Sequence, residues 1–251
     1  MRVGIAGVTG RMGRLLVEEV HAAGCVLAGG TARNSPPADI PHMPDIEALA
    51  AASDCVVDFT HASLAAAHAR AIAGAGAAWV LGTSGLSPED EAAVAEAARH
   101  VPTVYAANFA PGVTLLLALA ERLGAALPAD RYDAEILEMH HRQKVDAPSG
   151  TAVALGRAVA QGRGVHLADV TESGRDGHTG PRKPGAIGFA SLRGGQVVGE
   201  HTVLFASASE HIALSSRVFD RRVFATGAVR AALWTRGRAP GQYGMADVLG
   251  L

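Results

Sequence analysis

A chain of 251 residues with 49% hydrophobic side chains can bury one large core or two modest ones, so a folded enzyme-sized protein is expected rather than a disordered one. Lys and Arg number 22 against 24 Asp and Glu, and the resulting charge of -2 is scattered along the chain, so neither nucleic acid nor an anionic membrane surface is an expected partner. No apolar stretch approaches the ~18 residues of a membrane span, no basic and apolar leader pattern precedes the first strand, and Cys25 and Cys55 each sit in an apolar run, which reads as free thiols in a reducing cytoplasm.

Over the first hundred residues or so, short apolar runs alternate with Ala-rich helical stretches, the form of repeated βαβ units and a doubly wound parallel sheet. Strands are expected at residues 2–6, 25–30, 55–59, 79–82 and 104–107, and helices at 12–23, 63–73 and 88–99. Ser87-Pro88-Glu89-Asp90 has the order of an N-cap, a proline in the first turn and acidic groups beside the positive helix end. After Asn108 the rhythm changes to an apolar helix at 113–127, a strand at 133–139, a dense polar segment at 140–151 and a helix at 152–160, which marks a second domain. Gly, Pro and charged residues crowd 161–185, which reads as a long loop because it cannot bury a core of its own. Strand-like runs at 187–192, 196–205 and 211–217 point to an open mixed sheet, and a last helix at 225–235 is assigned to the N-terminal half.

Gly7, Gly10 and Gly13 fall where the first strand turns into a helix, spaced G-x-x-G-x-x-G, so that backbone amides of Gly7, Val8, Thr9, Gly10, Arg11 and Met12 can approach a pyrophosphate at the positive helix end. The second strand would normally end on a carboxylate that holds the adenosine ribose, but the chain reads Gly30-Thr31-Ala32-Arg33-Asn34. Arg33 can pair with a 2′-phosphate, which favours NADPH over NADH and leaves use of both open. Gly82-Thr83-Ser84 and Ala107-Asn108-Phe109-Ala110 follow strands at the carboxyl edge, where such sheets place ligands, and are candidates for the nicotinamide pocket. Asp58 ends another strand there as either a loop cap or a ligand contact, and is left out of the site.

The segment Glu138 to Thr151 packs proton donors and anion binders together. Ser149, Gly150 and Thr151 precede a helix, so their amides and hydroxyls would form a carboxylate seat at its N-terminus. A histidine such as His140 can exchange a proton near neutral pH, Lys144 is a cation that can neutralise a carboxylate or deliver a proton, and His141 is expected as a polar clamp. No metal is expected, because there is no H-E-x-x-H or C-x-x-C and the neighbouring His140 and His141 project in different directions. Thiolate chemistry is disfavoured too, since no Cys lies beyond Cys55.

At this segment the chain resembles dihydrodipicolinate reductases, whose signature E-x-H-H-x-x-K-x-D-A-P-S-G-T-A is matched from Glu138 to Ala152. Agreement extends to Val57-Asp58-Phe59-Thr60, Gly82 to Leu86, Ala107-Asn108-Phe109, Arg193-Gly194-Gly195, Gly199-Glu200-His201 and Tyr243 to Leu249. The resemblance implies a Rossmann-like α/β domain from both chain ends, residues 1–109 with 221–251, and a central α+β domain at 110–220 that binds a small cyclic dicarboxylate and builds a homotetramer. It implies NAD(P)H-dependent reduction of dihydrodipicolinate to tetrahydrodipicolinate on the lysine and diaminopimelate route, with His140 and Lys144 as the proton-donor pair and His141, Ser149, Gly150 and Thr151 as substrate contacts. The chain departs from the family at Ala32, Ala110, Gln196 and Ser216, where acidic, Ser, Asp and His residues are usual, which bears most on cofactor preference. Two competing readings are another two-domain NAD(P)H oxidoreductase acting on a carboxylated imine or amino acid, and a nucleotide-sensing protein without turnover.

Overall fold

The computed structural model describes every residue from Met1 to Leu251. In chain order the elements are β1 (Arg2–Ala6), α1 (Arg11–Ala22), β2 (Val26–Thr31), α2 (Ile46–Ala52), β3 (Cys55–Asp58), α3 (Ala65–Ala75), β4 (Ala78–Leu81), α4 (Pro88–Ala98) and β5 (Pro102–Tyr105). There follow α5 (Pro111–Ala126), β6 (Asp133–His140), α6 (Gly150–Gly162), α7 (Leu167–Val170), β7 (Thr171–Ser173), β8 (Ile187–Arg193), β9 (Gly199–Ala206) and β10 (His211–Val218). The chain closes with α8 (Arg222–Trp234), β11 (Gly241–Tyr243) and α9 (Met245–Leu249). Two compact units result, one of Met1–Pro111 with Arg222–Leu251 and one of Gly112–Arg221.

The first unit is built on a six-stranded parallel sheet in the order β11-β5-β4-β3-β1-β2. Its strands are covered on both faces, which is why they read as continuous apolar runs rather than alternating ones. Successive residues divide between two cores: Cys55 and Val57 pack with Leu16 and Val20 of α1 and Ala225 to Ala232 of α8, whereas Val56 packs with Leu49 of α2, Ile72 of α3 and Val94 of α4. The expected cap of α4 is present, with Ser87 Oγ accepting from Asp90 N and the Asp90 carboxylate returning to Ser87 N. Helix α8 returns to the start of the chain, where Arg222 bonds Glu18 and Glu19 of α1 and Thr226 Oγ1 donates to Glu19 Oε2 at 2.8 Å. The same helix passes close to the segment after β5 because Gly227 has no side chain, since a methyl group there would fall 1.9 Å from the Phe109 carbonyl oxygen.

The second unit carries a five-stranded mixed sheet ordered β10-β9-β6-β8-β7, parallel for β6, β8 and β7 and antiparallel for β6, β9 and β10. One face packs on α5 and α6 through Leu116, Ala120, Leu155 and Val159 against Ile136, Ile187, Val203 and Phe205. On the other face Leu137 is opposite Ala190, and Met139 is opposite Leu192, which stands 56% exposed. The segment expected as one long loop, 161–185, is partly ordered into the end of α6, the short α7 and β7. Its remainder is held by charge rather than by a core: Arg175 and Arg182 both reach Glu135, and Arg182 also reaches Asp133. The short elements α2, β11 and α9 carry too few residues to show a period and were not anticipated. The strand expected from 196 begins instead at Gly199, because Gly195 and Gln196 form a turn.

Candidate active site

In the first unit β2 and β3 lie on opposite sides of β1, so the chain reverses its direction of winding there. Crevices in doubly wound sheets open at such a point, outside the carboxyl ends of the strands. The cleft found there has a volume of about 1060 Å³ and is lined by Gly7, Thr9, Gly10 and Arg11 after β1, by Thr31 to Asn34 at the end of β2, and by Phe59, Thr60 and His68. Gly7 turns at φ 77°, and a methyl group on Gly13 would fall 2.3 Å from the Gly7 carbonyl oxygen, so the first turn of α1 can close onto the loop only without it. Gly10 caps α1 with no side-chain hydrogen bond and no acidic residue in the first turn, which leaves a positive helix end facing the cleft.

Not every residue of the expected phosphate loop is available to a ligand. The amides of Gly7 and Val8 both donate to the Thr31 carbonyl, and Gly10 N donates to Gly7 O, so these three hold the loop itself. Val8 is buried in the core, and Met12 packs against the same core. Thr9, Gly10, Arg11 and Arg33 remain on the cleft wall. Gly82 to Ser84 and Ala107 to Ala110 follow the neighbouring strands β4 and β5 and are tied to the cleft wall by Thr83 Oγ1 donating to Thr60 O at 3.0 Å and by the Phe59 and Phe109 rings, 5.4 Å apart. Asp58 is a loop cap: wholly buried, its carboxylate accepts from Thr60 N, Thr60 Oγ1 and His68 Nδ1 at 2.9, 2.6 and 2.7 Å. His68 was not anticipated, since its partner lies ten residues earlier on a different element.

In the second unit the strand register sets Arg193 opposite His140 and His201 opposite Glu138. Glu138, His140 and His201 alternate onto the helix-covered face and are 2%, 9% and 4% exposed. Glu138 sits at the centre. Its Oε2 accepts from His140 Nδ1 at 2.6 Å and Arg193 Nη1 at 2.8 Å, and its Oε1 from Arg193 Nη2 at 2.8 Å and Ser149 N at 3.2 Å. Burial alone would raise this carboxyl, but the hydrogen bonds from Arg193, His140 and Ser191 prevail and hold it at about 2. Burial lowers His140, against the opposing pull of Glu138. Burial and the charge of His140 push His201 down to about 4.

Ser149 caps α6, with its Oγ accepting from Ala152 N at 3.2 Å and lying 3.0 Å from His201 Nε2. Its amide and hydroxyl are therefore engaged inside the protein, at the start of the helix that Gly150 and Thr151 open. Lys144 Nζ pairs with Asp146 Oδ1 at 2.8 Å, and its charge acts on both His140 and His201. His141 Nδ1 is buried without a hydrogen-bond partner in the protein. The roles of Glu138, Arg193 and His201 were invisible as chemistry in the sequence, because only strand register sets His201 opposite Glu138 and brings Arg193, 55 positions away, onto its carboxylate. Cys55 offers no thiolate, since burial pushes it up to about 12.

Residues 1–109 match the family profile described as dihydrodipicolinate reductase, N-terminus, and residues 112–249 the one described as dihydrodipicolinate reductase, C-terminus. The chain is 68% identical to the 4-hydroxy-tetrahydrodipicolinate reductase of Granulibacter bethesdensis, across 100% of this chain and 97% of that one. It is 63% identical to the enzyme of the same name from Gluconacetobacter diazotrophicus, across 100% and 98%. Among solved structures it resembles a dipicolinate-bound dihydrodipicolinate reductase from a Paenisporosarcina species, with a TM-score of 0.82 at 23% identity over 98% of each chain, a likeness of fold. A probable dehydrogenase from Thermotoga maritima shares the fold more loosely, at a TM-score of 0.63, 11% identity, and coverage of 99% and 92%.

The depressed His201 has a consequence for stability. Below 6.5 the unfolded chain takes up a proton at this position while the folded protein, titrating at about 4, does not, so stability present above 6.5 declines as pH falls towards 4. The loss is predicted to reach at most about 3 to 4 kcal/mol, since each tenfold difference in proton affinity corresponds to about 1.4 kcal/mol. Urea unfolding at a series of pH values is predicted to show a shallower decline for His201→Gln over this window; an unchanged decline contradicts the prediction.

Proposed function

This chain belongs to the dihydrodipicolinate reductase family, oxidoreductases of lysine biosynthesis, and we propose that it reduces 4-hydroxy-tetrahydrodipicolinate to tetrahydrodipicolinate with a nicotinamide cofactor. The observation that carries this reading is the gathering of a proton donor, His140, with the cation Lys144 beside the N-terminus of α6 and with Arg193 neutralising the buried Glu138 behind them. Two carboxylates and an imine-bearing ring call for that set: cations and helix amides for the anions, and an acid for the charge that develops on reduction.

The cleft after β1 and β3 fits a dinucleotide, with an uncapped helix end for the pyrophosphate and Arg11 and Arg33 on the wall. Bound there, the cofactor supplies hydride. The residues of this chain do the rest. His140, with Nδ1 engaged by Glu138, presents Nε2 as the nitrogen that gives up a proton. Lys144 exchanges Asp146 for a substrate carboxylate, Gly150 and Thr151 stand in the first turn of α6 beside it, and the partnerless Nδ1 of the half-buried His141 takes a further polar contact. Residues 1–109 with 221–251 serve as the dinucleotide-binding domain and 110–220 as the substrate and oligomerisation domain. Gly82 to Ser84 and Ala107 to Ala110 line the nicotinamide end.

NADPH is the preferred donor. Ala32 removes the carboxylate that would repel a 2′-phosphate, and the one acid on the cleft wall, Asp45, is engaged in capping α2 through Ala48 N at 2.7 Å. Assembly as a homotetramer is supported by the uncovered sheet face bearing Leu137, Met139 and Leu192. Work in the cytoplasm agrees with the buried free thiols Cys25 and Cys55 and is checked by cell fractionation.

Freshly generated substrate should consume NADPH absorbance; cofactor binding without turnover would favour a sensor instead. Lys144→Ala should lower kcat about 100-fold and raise the substrate KM while cofactor affinity stays within about twofold; parallel loss of both affinities would indicate misfolding. Arg33→Ala should raise KM for NADPH about 10-fold and leave NADH little changed, and equal effects on both would remove the case for NADPH. Light scattering should give a tetramer mass that Leu192→Glu reduces, and a monomeric wild-type protein would count against the assembly.

A further inference from the structure

The proton donor and the carboxylate seat stand on different elements, β6 and α6, and one side chain touches both. We propose that Glu138 is a positioning residue that couples them: Oε2 orients the His140 ring while Oε1 holds the Ser149 amide at the start of α6. It rests on the assignment of His140 as proton donor made above.

The geometry restricts Glu138 to this role. At 2% exposure its carboxylate has no access to substrate, and Arg193 occupies one position on each oxygen, which supplies the countercharge that keeps a buried carboxylate ionised. Arg193 reaches on from Glu138 to the Asp146 carbonyl, so the segment between His140 and Ser149 is anchored at both ends and near its middle by one ion pair. An acceptor that is only an acceptor dictates that His140 Nδ1 bears the proton, and the neutral ring then exposes its lone pair at Nε2. The charged and titratable groups around His140 are Glu138 on its own strand, Arg193 on β8, His201 on β9 in an edge-to-face contact at 5.1 Å, and Lys144 on the following loop; Ser149 at α6 is uncharged. Among the ionised groups Glu138 alone favours the protonated ring, and Lys144 and Arg193 oppose it. Loss of that charge therefore carries the acid form of His140 to lower pH.

Glu138→Gln keeps the size of the side chain and removes the charge. The fall of kcat/KM on the alkaline side should move about one pH unit towards acid, with substrate KM raised several-fold and cofactor affinity within about twofold. Glu138→Asp should give an intermediate displacement. A uniform loss of activity with the alkaline fall unmoved would make Glu138 merely structural and overturn the proposal. His140→Gln separates the two layers: if the alkaline fall survives in that variant, the assignment of His140 as acid fails, whereas if it vanishes there and stays unmoved in Glu138→Gln, only the role of Glu138 fails. Should the Glu138 variants not fold, nitrogen-15 spectra of the wild-type protein decide the matter, because the neutral His140 ring should carry its proton on Nδ1 and an Nε2-protonated ring would overturn the proposal.

Discussion

A carboxylate sealed from water at 2% exposure persists as an anion only when protein groups replace its hydration in full, and Glu138 has donors from His140, Arg193, Ser191 and Ser149 to do so. Those donors come from β6, from β8 and from the residue that caps α6. Satisfying one buried charge therefore fixes the relative placement of two strands and a helix, and with them His140, Arg193 and Ser149. The polar cluster is costly if any partner is withdrawn, which makes it a specifier of geometry rather than a source of net stability.

The cleft of the first unit rests on a different principle. The reversal of winding at β1 opens a crevice, and the backbone of α1 supplies a positive end to it. What the side chains add is shape. Gly13 lets the helix close on the loop, and the buried pair of Asp58 with His68 braces Thr60, whose carbonyl in turn receives Thr83. One site is thus made by topology and the other by electrostatics.

That division explains what could be read from the chain alone. The parallel sheet was legible because residues such as Val56 and Val57 are buried on opposite faces, leaving an uninterrupted apolar run between Ala-rich helices. His140, His141 and Lys144 were legible because they are close in sequence. Arg193 and His201 were not, because their relation to Glu138 exists only through strand register. Ser149 has a second set of relations that its type and position do not reveal: its hydroxyl faces Ala152 N and His201 and its amide faces Glu138. Order within 161–185 is not legible from core-forming potential, because Arg175 and Arg182 pin the segment to Glu135 by ion pairs.

The return of α8 to the beginning of the chain bears on how the molecule is made. Arg222 bonds a glutamate 204 positions earlier, and Ala225 to Ala232 wall one side of the core beneath β3. During translation β1 to β5 emerge with that wall missing, so their apolar face waits through the synthesis of the whole central unit before it can be covered. The central unit, continuous in sequence, is under no such delay. The order of synthesis and the order of completion are therefore reversed: the part that begins first is finished last.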